Sequence, residues 1–124
     1  MLNFNSLLLF SEKPEALAAF YKQVFTTKPV WEGDGYTTFA VGQGYITVGP
    51  HSEVKGKSKE PARIMFNLET KEVKEEFERI KKIGAHVIKE PTDEDEMGQI
   101  ATFADPDGNY FQLMPPMPMD ETPD

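Results

Sequence analysis

Apolar and polar positions along the chain read as a strand, a helix and three strands, and then the same order again. Residues 5–10 are apolar on both faces, as a fully covered strand requires. Ser11, Glu12 and Pro14 then open a helix, because proline is tolerated in a first turn whose N–H groups have no helical partner. Leu17, Phe20, Tyr21 and Val24 recur at helical spacing, so one face packs on a sheet, and the helix ends near residues 26–29. Residues 30–32, 36–41 and 45–49 read as short strands, with turns at Gly33-Asp34-Gly35 and Gly42-Gln43-Gly44. Residues 50–61 are polar, lysine-rich and without periodicity, and form a connecting loop.

The second pass begins with a strand at 63–68. Thr70 is the expected N-cap of a helix whose first turn carries Glu72, Glu75 and Glu76, and Val73, Phe77 and Ile80 form its apolar stripe. Gly84 occupies the position where a left-handed residue ends a helix. Residues 86–89, 99–104 and 109–114 are three more strands, and the proline- and acid-rich stretch 115–124 is expected to fray.

The residues themselves repeat. Thr38-Phe39-Ala40 matches Thr102-Phe103-Ala104, and with one extra residue in the second turn Tyr45–Pro50 matches Tyr110–Pro115 position for position. A half-sheet with one helix cannot cover both its faces, so two copies must pack together. One face of each sheet takes its helix and the other curls round a shared interior. The expected fold is therefore α+β: two βαβββ modules with mixed sheets round a shared cup. Module one spans about 3–50, the linker 51–61 and module two 62–115, within one domain of residues 1–116 followed by a tail at 117–124.

Composition narrows the partners. The chain has no cysteine, which excludes disulfides, zinc–thiolate sites and thiol nucleophiles and fits a reducing cytoplasm. A net charge of −8 gives no support for binding a nucleic-acid backbone and favours solubility. The apolar run at 7–10 is too short for a signal core or a membrane span. Gly56-Lys57-Ser58 resembles the end of a phosphate loop, but the glycine required five residues earlier is His51. Asp105-Pro106-Asp107-Gly108 lacks the further spaced oxygens of a calcium loop and reads as a turn.

Two segments carry a family resemblance. Ser11–Tyr21 after a short apolar strand, and Ala101–Leu113 with its Asp-Pro-Asp-Gly turn, resemble the vicinal oxygen chelate superfamily of glyoxalase I, bleomycin-resistance proteins and extradiol dioxygenases. The resemblance runs from about Asn3 to Pro116 and implies the glyoxalase/bleomycin-resistance fold, a small-molecule ligand and a homodimer. It further implies, for the enzymes, a divalent metal held by four side chains on the first and last strands of each module. Carried over strand by strand, those positions fall on Asn5, Thr47, Arg63 and Gln112. None is a strong ligand, and Arg63 is a permanent cation, so no metal cofactor is expected. His51 falls in the connecting loop and His86 at the start of a later strand, away from those positions.

Side chains alternate along a strand, so residues sharing parity with these positions should line the cup: Asn5, Leu7, Leu9, Tyr45, Thr47, Arg63, Met65, Asn67, Tyr110, Gln112 and Met114. Apolar walls with a few placed polar groups suit a small-molecule site. Arg63 either pairs with a carboxylate such as Glu32 or awaits an anionic ligand. Trp31 lies on the strand where bleomycin-resistance proteins stack planar ligands. Met97, with Met65 and Met114, offers an adaptable wall, and the acidic stretch 93–96 a solvated loop or flap. The function expected is metal-free binding of an amphipathic or anionic molecule, by sequestration or sensing. The alternative is a diverged glyoxalase-like lyase or isomerase, or a dioxygenase-like enzyme, needing a base such as Glu32, His51 or His86.

Overall fold

A computed structural model describes residues 1–93 and 98–116; Met97, most of the acidic stretch and the tail from 117 lie outside them. The chain divides after Lys57 into two compact units, one per module.

In the first unit, β1 (Ser6–Phe10), α1 (Pro14–Phe25), β2 (Trp31–Gly33), β3 (Tyr36–Val41) and β4 (Gly44–Gly49) follow in the expected order. The sheet runs β1-β4-β3-β2, with β1 parallel to β4 and the other pairs antiparallel. Helix α1 buries Leu17, Ala18, Tyr21 and Val24, and its packing against β3 and β4 covers Phe39, Ile46 and Val48. Phe25 links the layers, with its ring centroid 5.3 Å from Tyr21 and 5.2 Å from Phe39.

The second unit repeats the arrangement with β5 (Phe66–Glu69), α2 (Val73–Ile83), β6 (His86–Lys89), β7 (Ala101–Ala104) and β8 (Tyr110–Met114), in sheet order β5-β8-β7-β6. Its core is a ladder of stacked rings: Phe77 on Phe103 at 5.3 Å, Phe103 on Phe111 at 5.5 Å, and Phe111 on Phe66 at 5.7 Å. Each fully buried ring removes apolar surface worth about 1.5–3 kcal/mol from water. The fold class and the module order are those read from the sequence.

The repeat extends to hydrogen bonds. Just after the first strand of each module, Ser11 N–H donates to the Gly49 carbonyl at 2.9 Å and Thr70 N–H to the Met114 carbonyl at 2.8 Å. Their hydroxyls accept from backbone N–H groups two residues on, Lys13 at 2.9 Å and Glu72 at 3.1 Å. Thr70 therefore turns the chain toward α2 rather than capping it, and Glu72 holds the N-cap position.

Three expectations are corrected. The β1–β4 register pairs Leu8 with Thr47, Leu7 with Ile46 and Leu9 with Val48. Leu7 and Leu9 thus share the helix-covered face, Leu8 takes the other, and Asn5, which precedes β1, follows Leu7 in parity. Second, β5 starts at Phe66 rather than residue 63: Pro61–Arg63 forms a 3₁₀ turn, so Arg63 and Met65 lie ahead of the strand. Third, β7 starts at Ala101 and β8 at Tyr110, one to two residues later than expected.

Candidate functional site

Each sheet has one face without a helix, and in the second unit that face is built around Gln112. Register places Gln112 between Asn67 on β5 and Thr102 on β7, with Tyr110 and Met114 two residues to either side. Gln112 Nε2 donates to Thr102 Oγ1 at 2.9 Å. Thr102 and Met114 are buried, Gln112 and Tyr110 half-buried and Asn67 exposed. His86 pairs with Ala104 and shares this face, at the far edge of the sheet from Asn67.

Chain geometry brings a charged pair beside Tyr110. Ser58 N–H donates to the Asp107 carbonyl at 2.9 Å, pinning the segment before the 3₁₀ turn to the β7–β8 connection. Pro61 opens the turn and Arg63 N–H closes it on the Glu60 carbonyl at 3.0 Å. Side chains three apart eclipse in 3₁₀ geometry, so Glu60 and Arg63 project together. Arg63 Nη2 accordingly donates to Glu60 Oε1 at 2.9 Å. With Pro61, Ala62 and Tyr110 they line an open depression of about 430 Å³.

In the first unit the equivalent face centres on Thr47, whose hydroxyl lies 2.8 Å from that of Thr38. Ser6, Leu8 and Tyr45 flank it by register, and Trp31 pairs with Thr38 at the other side. Leu8 is 55% and Trp31 53% exposed, so this face is apolar and aromatic at its surface. The Trp31 indole lies over Gly33, where a Cβ would stand 2.8 Å from the ring, and the Tyr36 ring covers Gly49 in the same way. A second depression, about 310 Å³, has Glu12, His51, Ser52 and Lys55 in its wall. There His51 sets its ring edge-on to Phe10 at 5.0 Å and accepts Glu53 N–H at Nδ1.

Of the residues expected to share one site, Trp31, Tyr45 and Thr47 fall on the uncovered face of the first sheet, and Asn67, Tyr110 and Gln112 on that of the second. Arg63 joins Tyr110 at the depression although it is off the strand. Asn5 leaves the expected face, and Met65, 41% exposed, precedes β5. Arg63 takes Glu60 as partner instead of Glu32, whose carboxylate lies 4.0 Å from Lys22 Nζ. Sequence reasoning missed Glu60 and Tyr36. Spacing of three from Arg63 signalled the first, and a glycine on the neighbouring strand β4, Gly49, signalled the second.

The donors do not fit a divalent metal. Among the described residues no three His, Cys, Asp or Glu side chains converge to hold one. At the four positions the resemblance assigns, Thr47 bonds Thr38, the Gln112 amide nitrogen bonds Thr102, Arg63 bonds Glu60, and Asn5 stands outside the strand. One neutral hydroxyl, two amides and a guanidinium lack the imidazole and carboxylate donors that such ions require.

Comparisons with known proteins agree on the architecture. A family model described as a glyoxalase-like domain matches residues 6–114. No curated protein matches the chain. Among solved structures, a glyoxalase/bleomycin resistance protein/dioxygenase family enzyme from Burkholderia phytofirmans aligns with a TM-score of 0.72 at 23% identity, over 90% of this chain and 97% of that one. A glyoxalase-related enzyme from Fulvimarina pelagi gives 0.74 at 18%, over 94% and 89%. The fosfomycin resistance protein FosX from Listeria monocytogenes, complexed with Mn(II) and sulfate, gives 0.69 at 18%, over 97% and 93%. At these identities the likeness is one of fold.

Proposed function

This chain belongs to the glyoxalase-like domain family, and from that premise we propose that it is a metal-free small-molecule-binding protein of the bleomycin-resistance type. It sequesters or senses an amphipathic or anionic ligand. The observation that carries this reading is the depression beside β8, where a guanidinium and a tyrosine ring from distant parts of the sequence stand together. A guanidinium fork recognises carboxylate or phosphate, and an aromatic wall takes the apolar remainder. The hydrogen-bonded Gln112–Thr102 pair and exposed Asn67 supply further polar anchors on the same sheet.

A thermal-shift screen with anionic and aromatic metabolites tests the reading. A ligand held by Arg63 raises the melting temperature of the wild type and largely loses that effect in Arg63→Ala. On this reading, protein purified without chelator should carry no stoichiometric divalent ion by metal analysis. A stoichiometric ion that Gln112→Ala releases overturns the metal-free reading in favour of a diverged lyase or dioxygenase-like enzyme. The family resemblance adds a homodimer, and the proposed setting is the cytoplasm, with which a chain without cysteine is compatible. No helix of the described residues is long and apolar enough to cross a membrane. Light scattering checks the dimer.

A further inference from the structure

We infer that Glu60 makes the depression beside β8 selective for a zwitterion, a ligand carrying an anionic and an ammonium group together, over a simple anion of the same shape. The inference rests on the ligand-binding reading above and specifies the class of molecule bound.

Arg63 is not an open cation. Its Nη2 is already bonded to Glu60 Oε1 at 2.9 Å, on a turn that its own backbone N–H closes onto the Glu60 carbonyl. Proline within the turn and the Ser58–Asp107 bond before it hold the two side chains on one side of the chain, next to Tyr110. A ligand with only a negative group can take the remaining N–H edge of Arg63, but it then sits beside a second carboxylate. A ligand that also carries an ammonium group meets both members of the pair, the anion on Arg63 and the cation on Glu60. No charge is then left facing its like. Among the residues lining the depression Glu60 is the one carboxylate, and the neighbouring Lys59 is exposed and does not line it.

L-Phenylalanine and 3-phenylpropanoate form a matched pair of probes, differing only in the α-ammonium group, with the ring offered to Tyr110. Titrations followed by amide NMR shifts compare wild type, Glu60→Gln and Arg63→Ala at low salt. The wild type binds L-phenylalanine about two- to fivefold more tightly than 3-phenylpropanoate, the range an exposed charge pair supports. Glu60→Gln reverses the order, weakening the amino acid and strengthening the anion, and Arg63→Ala weakens both. Equal affinity of the wild type for the two probes, or an unchanged ratio in Glu60→Gln, overturns the inference while leaving Arg63 as an anion site. Binding of both probes that is untouched by Arg63→Ala overturns the ligand reading as well. Failure of the wild type to bind either probe at millimolar concentration overturns the zwitterion assignment.

Discussion

Gln112 donates from its side-chain nitrogen to the Thr102 hydroxyl at 2.9 Å, and the same two positions of the first module, Thr47 and Thr38, are joined at 2.8 Å. The repeat therefore conserves a cross-strand polar contact at the centre of each helix-free face while changing its chemistry. In the second module the contact leaves the amide oxygen of Gln112 fixed in place as an acceptor. Thr102 is buried, so replacing it with valine keeps the shape and strands the amide. Thr102→Val should cost about 1 kcal/mol of stability in urea unfolding. Ligand affinity should fall further than in Thr38→Val if Gln112 is an anchor, which titration of both variants with a hit from the thermal screen measures.

The aromatic ladder of the second module makes a larger prediction. Phe103 is fully buried between Phe77 and Phe111. Truncation opens a cavity inside the stack, and Phe103→Ala should lose about 3–5 kcal/mol. Phe103→Leu, which keeps most of the volume, should lose about 1–1.5 kcal/mol. Chemical denaturation separates the two, and equal losses would show that the ring stack, rather than the filled volume, carries the stability of this site.

How much of this was legible follows from where the sequence alternates. The family resemblance places Gln112, and the alternation of Tyr110-Phe111-Gln112-Leu113 then gives the faces of that strand. Ala101–Ala104, by contrast, is buried on both sides and shows no alternation. Leu7, Leu8, Leu9 and Phe10 are apolar throughout, so nothing in the strand itself says which side turns toward the helix. Only the ladder to β4 sets that register, and a slip of one residue moved Asn5, Leu7 and Leu9 off the expected face. Arg63, Ile64 and Met65 look strand-like, but Pro61 with Glu60 favoured a tight turn whose closing bonds are local. The charged pair beside Tyr110 is a product of that turn and was not visible as a strand pattern.

Helix ends give a pair of opposite predictions. The residue ending each helix is left-handed: Thr26 at φ 56° and Gly84 at φ 108°. A β-branched side chain is poorly suited to that conformation, whereas glycine adopts it without a steric cost. Thr26→Gly should raise stability by about 0.5–1 kcal/mol and Gly84→Ala lower it by about 1 kcal/mol. Paired thermal melts decide the signs, and a loss in Thr26→Gly would mean that its hydroxyl bond to the Phe25 carbonyl outweighs the backbone strain.

Gly49 offers a test of the first module's helix-free face. Its backbone is not left-handed, so conformation alone does not demand glycine there. The demand comes from Tyr36, whose ring lies where a Cβ would project and whose hydroxyl reaches the Pro50 carbonyl at 3.4 Å. Gly49→Ala should therefore cost about 1–3 kcal/mol by forcing the ring off its site. The same substitution in a Tyr36→Ala background should be nearly neutral, because the clash has been removed. The coupling in this double-mutant cycle should reach about 1 kcal/mol or more. Additive losses would mean that Gly49 is required for some other reason and that the Tyr36 ring moves aside freely. A coupled result would mark Tyr36 as a fixed part of the aromatic surface it forms with Trp31, whose indole covers Gly33 in the same manner.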